Sequence, residues 1–519
     1  MWKLRAIDTL VRFRLLVLVL VGLISIGASI FATRVAFDNS IDIWFLEDDP
    51  DLVTYKKFLD RFGADEIAVA VVLNENVFSP KLLRAIDRIT RSAENAPFAH
   101  RVHSLTNVRV YHSEKSGENN EGEEIRIAKL VEKLPKTSNE AKQIRNIALA
   151  NTLLSGNLVA PDGKAAAILI ELSPKGNSFE GKTALLNALR KIQKREKNNG
   201  INILLGGTPA LDDAFSRYSP RDVLRFGPIS IALVIFISFV VFRRITSALI
   251  PVSVVILSSL WILGLMGLLG IKFNVVSSAL LAFIAAVGIA DSVHVLADYY
   301  RHLTMGETPQ KAVRNTVSGL LTPCFFTSAT TAAGLLSLTV SDLSPIRQFG
   351  WLAAIAVGIA FVLSVTFVPV ILQYARPSEK SIVLDQHNGL MHRLLKFIGQ
   401  PLPTTRKITI AVSFLLSVGA IASIPNLKIG LNAMNYFHEN APIRKNSMAI
   451  DRAIGGSTSL EFAINAKDEG LKQPHLLHRI DKLQHWLEQQ PGVVRALSIV
   501  DSLKELNRVL QHNNKKELP

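Results

Sequence analysis

Apolar runs long enough to cross a bilayer constrain this sequence more than any other feature. A spanning helix needs about 20 predominantly apolar residues. Runs of roughly that kind recur at Leu15–Ala32, Gly227–Phe242, Ser247–Ile271, Asn274–Ala297, Ser318–Val340, Ile346–Tyr374 and Ile408–Ile424. Hydrocarbon offers no hydrogen bonds, so each such segment must satisfy its own backbone and folds as a helix. The expected fold class is a polytopic α-helical membrane protein. Hydrophobic residues make up 49% of the 519, and mean hydropathy is +0.27. The net charge of +15 would suit nucleic acid. The basic residues flank the apolar runs, however, and form no patch with interleaved aromatics, so no nucleic-acid partner is expected. The single cysteine, Cys324, lies inside a run. An internal disulfide is excluded and a metal cluster is not expected.

Lys3, Arg5, Arg12 and Arg14 precede the first run. The run exceeds the ~7–15 residues of a signal-peptide core, so it reads as an uncleaved anchor. With a cytoplasmic N-terminus, Arg243, Arg244, Arg301, Lys311, Arg314, Arg376, Lys380, Arg393, Lys396, Arg406 and Lys407 all fall inside, as the positive-inside rule requires. The expected organisation follows. Residues 1–32 are the cytoplasmic N-terminus and first span, and 33–226 an extracytoplasmic α+β domain. Residues 227–374 are a bundle of five spans, 375–407 a cytoplasmic linker, 408–424 the seventh span, and 425–519 a partial second extracytoplasmic domain.

Within the first polar segment, Glu66–Asn74 and Arg101–Val110 read as strands around an amphipathic helix, Ser79–Ala96, with Leu82, Leu83, Ile86 and Ile89 on one face. Ala165–Ser173, a helix from Lys182 to Asn198, and Ile201–Gly207 repeat that order. Two strand–helix–strand units predict a compact α+β domain. Between them "EKSGENNEGEEIR" reads as an exposed acidic loop. Thr137 and Glu140 have capping-box spacing, which predicts a helix start. The segment Ile41–Gly63 recurs in pattern at Asn432–Gly455. Phe45 pairs with Phe437, Pro50 with Pro442 and Gly63 with Gly455, at one constant offset. "LEFAINA" then stands where the first copy has its strand, and Val494–Asn507 echoes the strand at Arg101–Val110. A parallel repeat of one span plus outer domain is a transporter signature; the second copy here is incomplete.

Asp291 is the unusual residue of the spans. A carboxylate at a span centre costs about 2.5–3.5 kcal/mol on insertion scales, and such groups mark ion paths. Its helix offers Gly288 for close packing, with Ser292 and His294 nearby and Asp298 two turns on; Gly334 would serve packing in the fifth span. The fifth span also brings Thr327, Ser328, Thr330 and Thr331, a candidate polar seam. His294 is a candidate partner in proton transfer. A permanently bonded structural Asp is the alternative reading. No P-loop, zinc motif or hydrolase elbow is present, so no catalytic residue, metal or cofactor is expected.

Several stretches together resemble the resistance–nodulation–division (RND) superfamily, closest to its MMPL-type exporters. They are "FLEDDPDLVTYKKFLDRFGADE" after the first span, "GIADSVHVLADYYR" in the fourth, "TSATTAAGLLSL" in the fifth and "SPIRQFGWLAAIAVG" opening the sixth. The resemblance implies porter-like outer domains and a secondary active transporter, not an enzyme, that exports lipids or hydrophobic compounds. Protons would be the coupling ion and Asp291 the relay, in a Gram-negative inner membrane. Family members often have a second acidic or an aromatic residue beside the relay; Ser292 stands there in this chain. The companion relay of the family's tenth span would come from a missing half in trans or from a homo-oligomer. Sterol-sensing membrane domains resemble the same spans, so a lipid sensor or scaffold, or an inactive half-transporter, is the competing expectation. About 2.3 kcal/mol per charge per 100 mV falls short of the roughly 10 kcal/mol for exposing a chain of about fourteen carbons at ~0.8 kcal/mol each. An exporter of lipids would therefore need a sheltered apolar route.

Overall fold

Proline and small polar caps set most element boundaries in the computed structural model. It describes residues 9, 12–38, 41–46, 48–63, 66–116, 122–242, 244–374, 403–427, 432–456, 460–466 and 470–511. In chain order, α1 (Arg14–Ala32) is followed by α2 (Pro50–Phe62), β1 (Ile67–Leu73), α3 (Pro80–Glu94) and β2 (Ala99–His103). Then come β3 (Arg109–Ser116), β4 (Gly122–Lys129), α4 (Ser138–Ala150), β5 (Ala165–Leu172), α5 (Phe179–Asn198) and β6 (Ile203–Gly207). The chain continues through α6 (Thr208–Phe242), α7 (Ile245–Leu269), α8 (Val275–Thr304), α9 (Pro309–Leu336), α10 (Ser344–Tyr374) and α11 (Pro403–Ser423). It ends with α12 (Pro442–Ile454), α13 (Pro474–Glu488) and α14 (Ile499–Leu510). Asp49, Ser79, Thr137, Ser178 and Asn274 cap α2, α3, α4, α5 and α8 by accepting from backbone N–H groups of the first turn.

Two compact units emerge, residues 1–46 with 216–431 and residues 47–215 with 432–519. The division falls inside the expected outer segment 33–226. Seven described helices are long and apolar enough to cross a membrane. They correspond to the seven runs, and several extend past them: α6 begins at Thr208, and α8 continues to Thr304. The apolar side chains of α1 and α11 are largely exposed, as lipid-facing helices require. Of the expected linker 375–407, residues 375–402 lie outside the described residues.

Two apolar clusters fill the bundle. One gathers Val254, Val295, Leu296, Tyr299, Val313 and Leu363. The other gathers Ile262, Met266, Leu280, Ile284, Leu352 and Ala356. Along α8, Asp291 and Ser292 sit between the residues given to each. Close approach of α1 and α7 depends on Gly264 and Gly267. A Cβ on Gly264 would stand 2.5 Å from Ala28 Cα, and one on Gly267 would fall on the Phe31 carbonyl oxygen. Gly350 of α10 likewise lies under Leu335 of α9, with 2.7 Å to its carbonyl oxygen from such a Cβ. Gly334 has open space around it, so it supports no helix contact here.

The second unit is built on a four-stranded sheet of order β2–β5–β1–β6, every adjacent pair antiparallel. Helices α3 and α5 make the crossovers, giving two interlocked split β–α–β units. β1 reads "IAVAVVL" without alternation because both its faces are covered. Val69 and Val71 share a cluster with Ile450 and Ile454 of α12. Gly206 of β6 makes room for α12, since a Cβ there would meet Ile450 Cδ1 at 2.6 Å. A buried ion group ties the sheet to the head of α6: Lys182 Nζ lies 2.7 Å from Glu66 and 2.6 Å from Asp212. Burial opposes its charge, but Asp212 and Glu66 outweigh that and hold Lys182 above the ordinary lysine range.

Some expectations are corrected. The strand expected over Arg101–Val110 is two, β2 and β3, separated by a turn at Ser104–Val108. The ends of the acidic loop, 114–116 and 122–126, pair in a β3–β4 ladder that runs from Arg109–Lys129 to Ser116–Gly122, and 117–121 lie outside the described residues. "LEFAINA" forms no strand over residues 460–466. Val494–Asn507 contributes to a helix, α14, because Ser498 and Asp501 form a full capping box. The patterned segments agree in local structure: 3₁₀ turns Ile41–Trp44 and Ala433–Tyr436 each precede a helix begun by proline, α2 and α12. Those helices end at Gly63 and Gly455, with φ of 90° and 89°. Both glycines occupy the half of the map that L-residues avoid.

Candidate functional site

Asp291 lies well inside α8, with about 20 Å of helix beyond it. The side chain is 7% exposed, and Ser328 of α9 is 8% exposed. The Ser328 hydroxyl donates to Asp291 Oδ2 at 2.8 Å. Cys324, buried one turn earlier on α9, also interacts with the Asp291 carboxyl. Packing brings the groups together. At Gly288 a Cβ would stand 3.6 Å from Ala360 of α10 and 3.7 Å from Val255 of α7, ordinary contact distances. The helix therefore approaches both neighbours closely one turn before the carboxyl.

The other expected residues are arranged differently. Ser292 is fully buried but donates to its own helix, at 2.9 Å to Ile289 O and 3.3 Å to Gly288 O. His294 is exposed; the buried stripe of α8 runs through Gly288, Asp291, Ser292, Val295 and Tyr299, and leaves His294 beside it. Thr327 and Thr330 are exposed too, and Thr331 is half-buried. Their hydroxyls donate to Pro323 O, Phe326 O and Thr327 O of the same helix. A threonine satisfied by its own carbonyls can face lipid without an orphaned hydroxyl. Of the expected seam, only Ser328 touches the carboxyl.

Two polar residues escaped the sequence reading. Cys324 sits in its apolar run as one more small apolar residue. Ser364 lies one turn beyond Ala360 on α10, fully buried, with its hydroxyl lacking a hydrogen-bond partner. A lone serine in "GIAFVLSVTFVP" was the available signal. A buried carboxyl beside hydroxyl and thiol groups can exchange a proton if it gains access to water, and its charged form is compensated by few donors.

The second unit holds a half-open cavity of about 890 Å³. Val69, Leu169, Ile454, Phe462, Ile480 and Leu487 line it, with Gln484 and Arg495 among the polar residues. Those two are already engaged. Gln484 donates to Asp501 and to Ala496 O, and Arg495 donates to the carbonyls of Thr152 and Ser155. Asn157, Asp451 and Glu461 line it as well, so the wall mixes apolar and polar groups, and its size is that of a small-molecule site.

Seven membrane-length helices and a carboxyl hydrogen-bonded inside their bundle define a multi-pass membrane protein, with a split β–α–β domain in its polar segments. The MMPL family model matches residues 78–391, and the chain belongs to the MMPL family. A membrane protein of Methanocaldococcus jannaschii is 22% identical over 366 residues, which are 69% of this chain and 89% of that protein. The transport protein MmpL1 of Mycobacterium tuberculosis is 21% identical over 384 residues, 72% of this chain and 39% of MmpL1. The multidrug resistance protein MdtC of Salmonella arizonae is 28% identical over 211 residues, 40% of this chain and 20% of MdtC. The chain thus spans less than half of the last two relatives.

Proposed function

We propose that the chain is a secondary active transporter that uses the proton gradient to export lipids or other hydrophobic compounds, with Asp291 as the proton relay. The observation that carries this reading is the buried Asp291–Ser328 pair joining α8 to α9. An intramembrane carboxyl is costly to keep charged, so gaining and losing a proton changes how well the two helices pack. The family supports transport, since relatives are named for transport and multidrug resistance. The apolar part of the cavity lining, with Val69, Leu169, Ile454 and Phe462, supports a hydrophobic substrate, which would leave the bilayer by a sheltered route.

In this reading the N-terminus is cytoplasmic, the polar segments are extracytoplasmic, and the protein works in the inner membrane. The test is export of a fluorescent lipid by inverted vesicles carrying the chain under an imposed pH gradient. Export that stops on adding a protonophore supports the reading. Export unaffected by the protonophore, or none above vesicles without the chain, removes it.

A further inference from the structure

Beyond the relay, the turn between α8 and α9 contains an unassigned titratable cluster. His302 sits on the last turn of α8, with only 16% of its side chain exposed. Its Nε2 is 3.6 Å from Asp298 Oδ2, and its Nδ1 is 3.2 Å from Glu307 Oε2. Nδ1 is buried and makes no hydrogen bond, so the 3.2 Å approach lacks hydrogen-bond geometry. Glu307 lies in the turn beyond Gly306, whose φ of 83° reverses the chain. Asn315 of α9 donates to both Glu307 oxygens, at 2.9 and 2.8 Å. The contacts therefore run from Asp298 and His302 on α8, through Glu307, to Asn315 on α9.

The same two helices present Asp291 and Ser328 to each other. We propose that His302 is a positioning residue, a pH-responsive clamp that closes the base of the α8–α9 hairpin when protonated and relaxes it when neutral. A charged imidazole attracts both carboxylates at once and suits the negative end of α8. A neutral one loses that attraction. Asp298 and Glu307 then keep Arg301, at 2.7 Å, and Lys311, at 4.0 Å, whose side chains are 60% and 66% exposed and thus well screened. Arg314 is the remaining charge on the first turns of α9. Histidine is the side chain whose ordinary titration falls near neutral pH. The clamp rests on the relay reading only for its link to flux: it would tie packing around Asp291 to the pH at the hairpin's base.

The experiment is hydrogen–deuterium exchange of the full chain in lipid nanodiscs, following the peptide over residues 303–311 at about pH 5.5 and about pH 8, either side of the ordinary histidine range. Rates are corrected for intrinsic pH dependence. The native turn is expected to exchange several-fold more slowly at the lower pH. His302→Gln should abolish the difference, and His302→Lys should protect the turn at both values. Glu307→Gln should weaken protection at the lower pH. Equal native rates at both pH values, or a pH response that persists in His302→Gln, would overturn the proposal. Asp291→Asn is run alongside and should keep the native exchange response, so a failed relay and a failed clamp give different results.

Discussion

The Ser328 hydroxyl reaches Asp291 Oδ2 at 2.8 Å across the α8–α9 contact, both side chains nearly buried. Ser328→Ala removes the donor and leaves a buried carboxyl oxygen without it, a loss of about 1–3 kcal/mol. The expected outcome is a lower unfolding temperature in nanodiscs together with reduced proton flux. Ser328→Thr keeps the hydroxyl and should retain most of both.

Helix contact in the bundle depends on particular glycines. Gly267→Ala places a methyl group on the Phe31 carbonyl and must push α1 from α7, costing about 1–3 kcal/mol as overpacking does. Gly334→Ala meets nothing and should be neutral or stabilising by up to about 1 kcal/mol, the helix-propensity gain of alanine over glycine. Thermal unfolding of the two variants, measured side by side, checks the contrast.

Ile450 is fully buried and packs against the sheet with Val69 and Val71. Ile450→Ala should cost about 2–5 kcal/mol. Limited proteolysis is expected to cut the variant faster within residues 432–511 than the parent. Equal rates would mean that α12 is not held on the sheet.

Lys182 is buried between Glu66 and Asp212, and Lys182→Met removes the cation that both carboxylates face, at a cost of about 3–5 kcal/mol. The sign of the pH effect follows from its raised value. The stabilisation is full below the unfolded lysine value of about 10.4 and is lost as pH rises through the folded one. Parent stability should therefore fall above about pH 10.4, whereas Lys182→Met should be flatter across that window. Urea unfolding followed by pH gives both curves.

The spans were legible because a run of apolar residues has one stable form in lipid. The strand–helix–strand order was legible at Glu66–Asn74 and Ser79–Ala96, where periodicity and caps agree, but the split sheet order was not. Asp291 stood out because a carboxylate in such a run is costly. Its partner could not be singled out. Thr327, Ser328, Thr330 and Thr331 share a helix, and only three-dimensional packing turns Ser328 inward while the threonines bond their own carbonyls. Gly264, Gly267 and Ser364 were missed for a related reason. A glycine or serine in an apolar run shows its use only once the neighbouring helix is in place. "LEFAINA" had a strand's pattern, but alternation alone provides no strand to pair with.

Proton flux into sealed vesicles tests the central claim most directly, comparing the parent with Asp291→Asn at equal membrane expression. The side chains are nearly equal in size, but the amide cannot exchange the carboxyl proton. A pH gradient dissipated by a hydrophobic substrate in the parent, and held in Asp291→Asn, is the predicted result. Equal dissipation in both would contradict Asp291 as the relay.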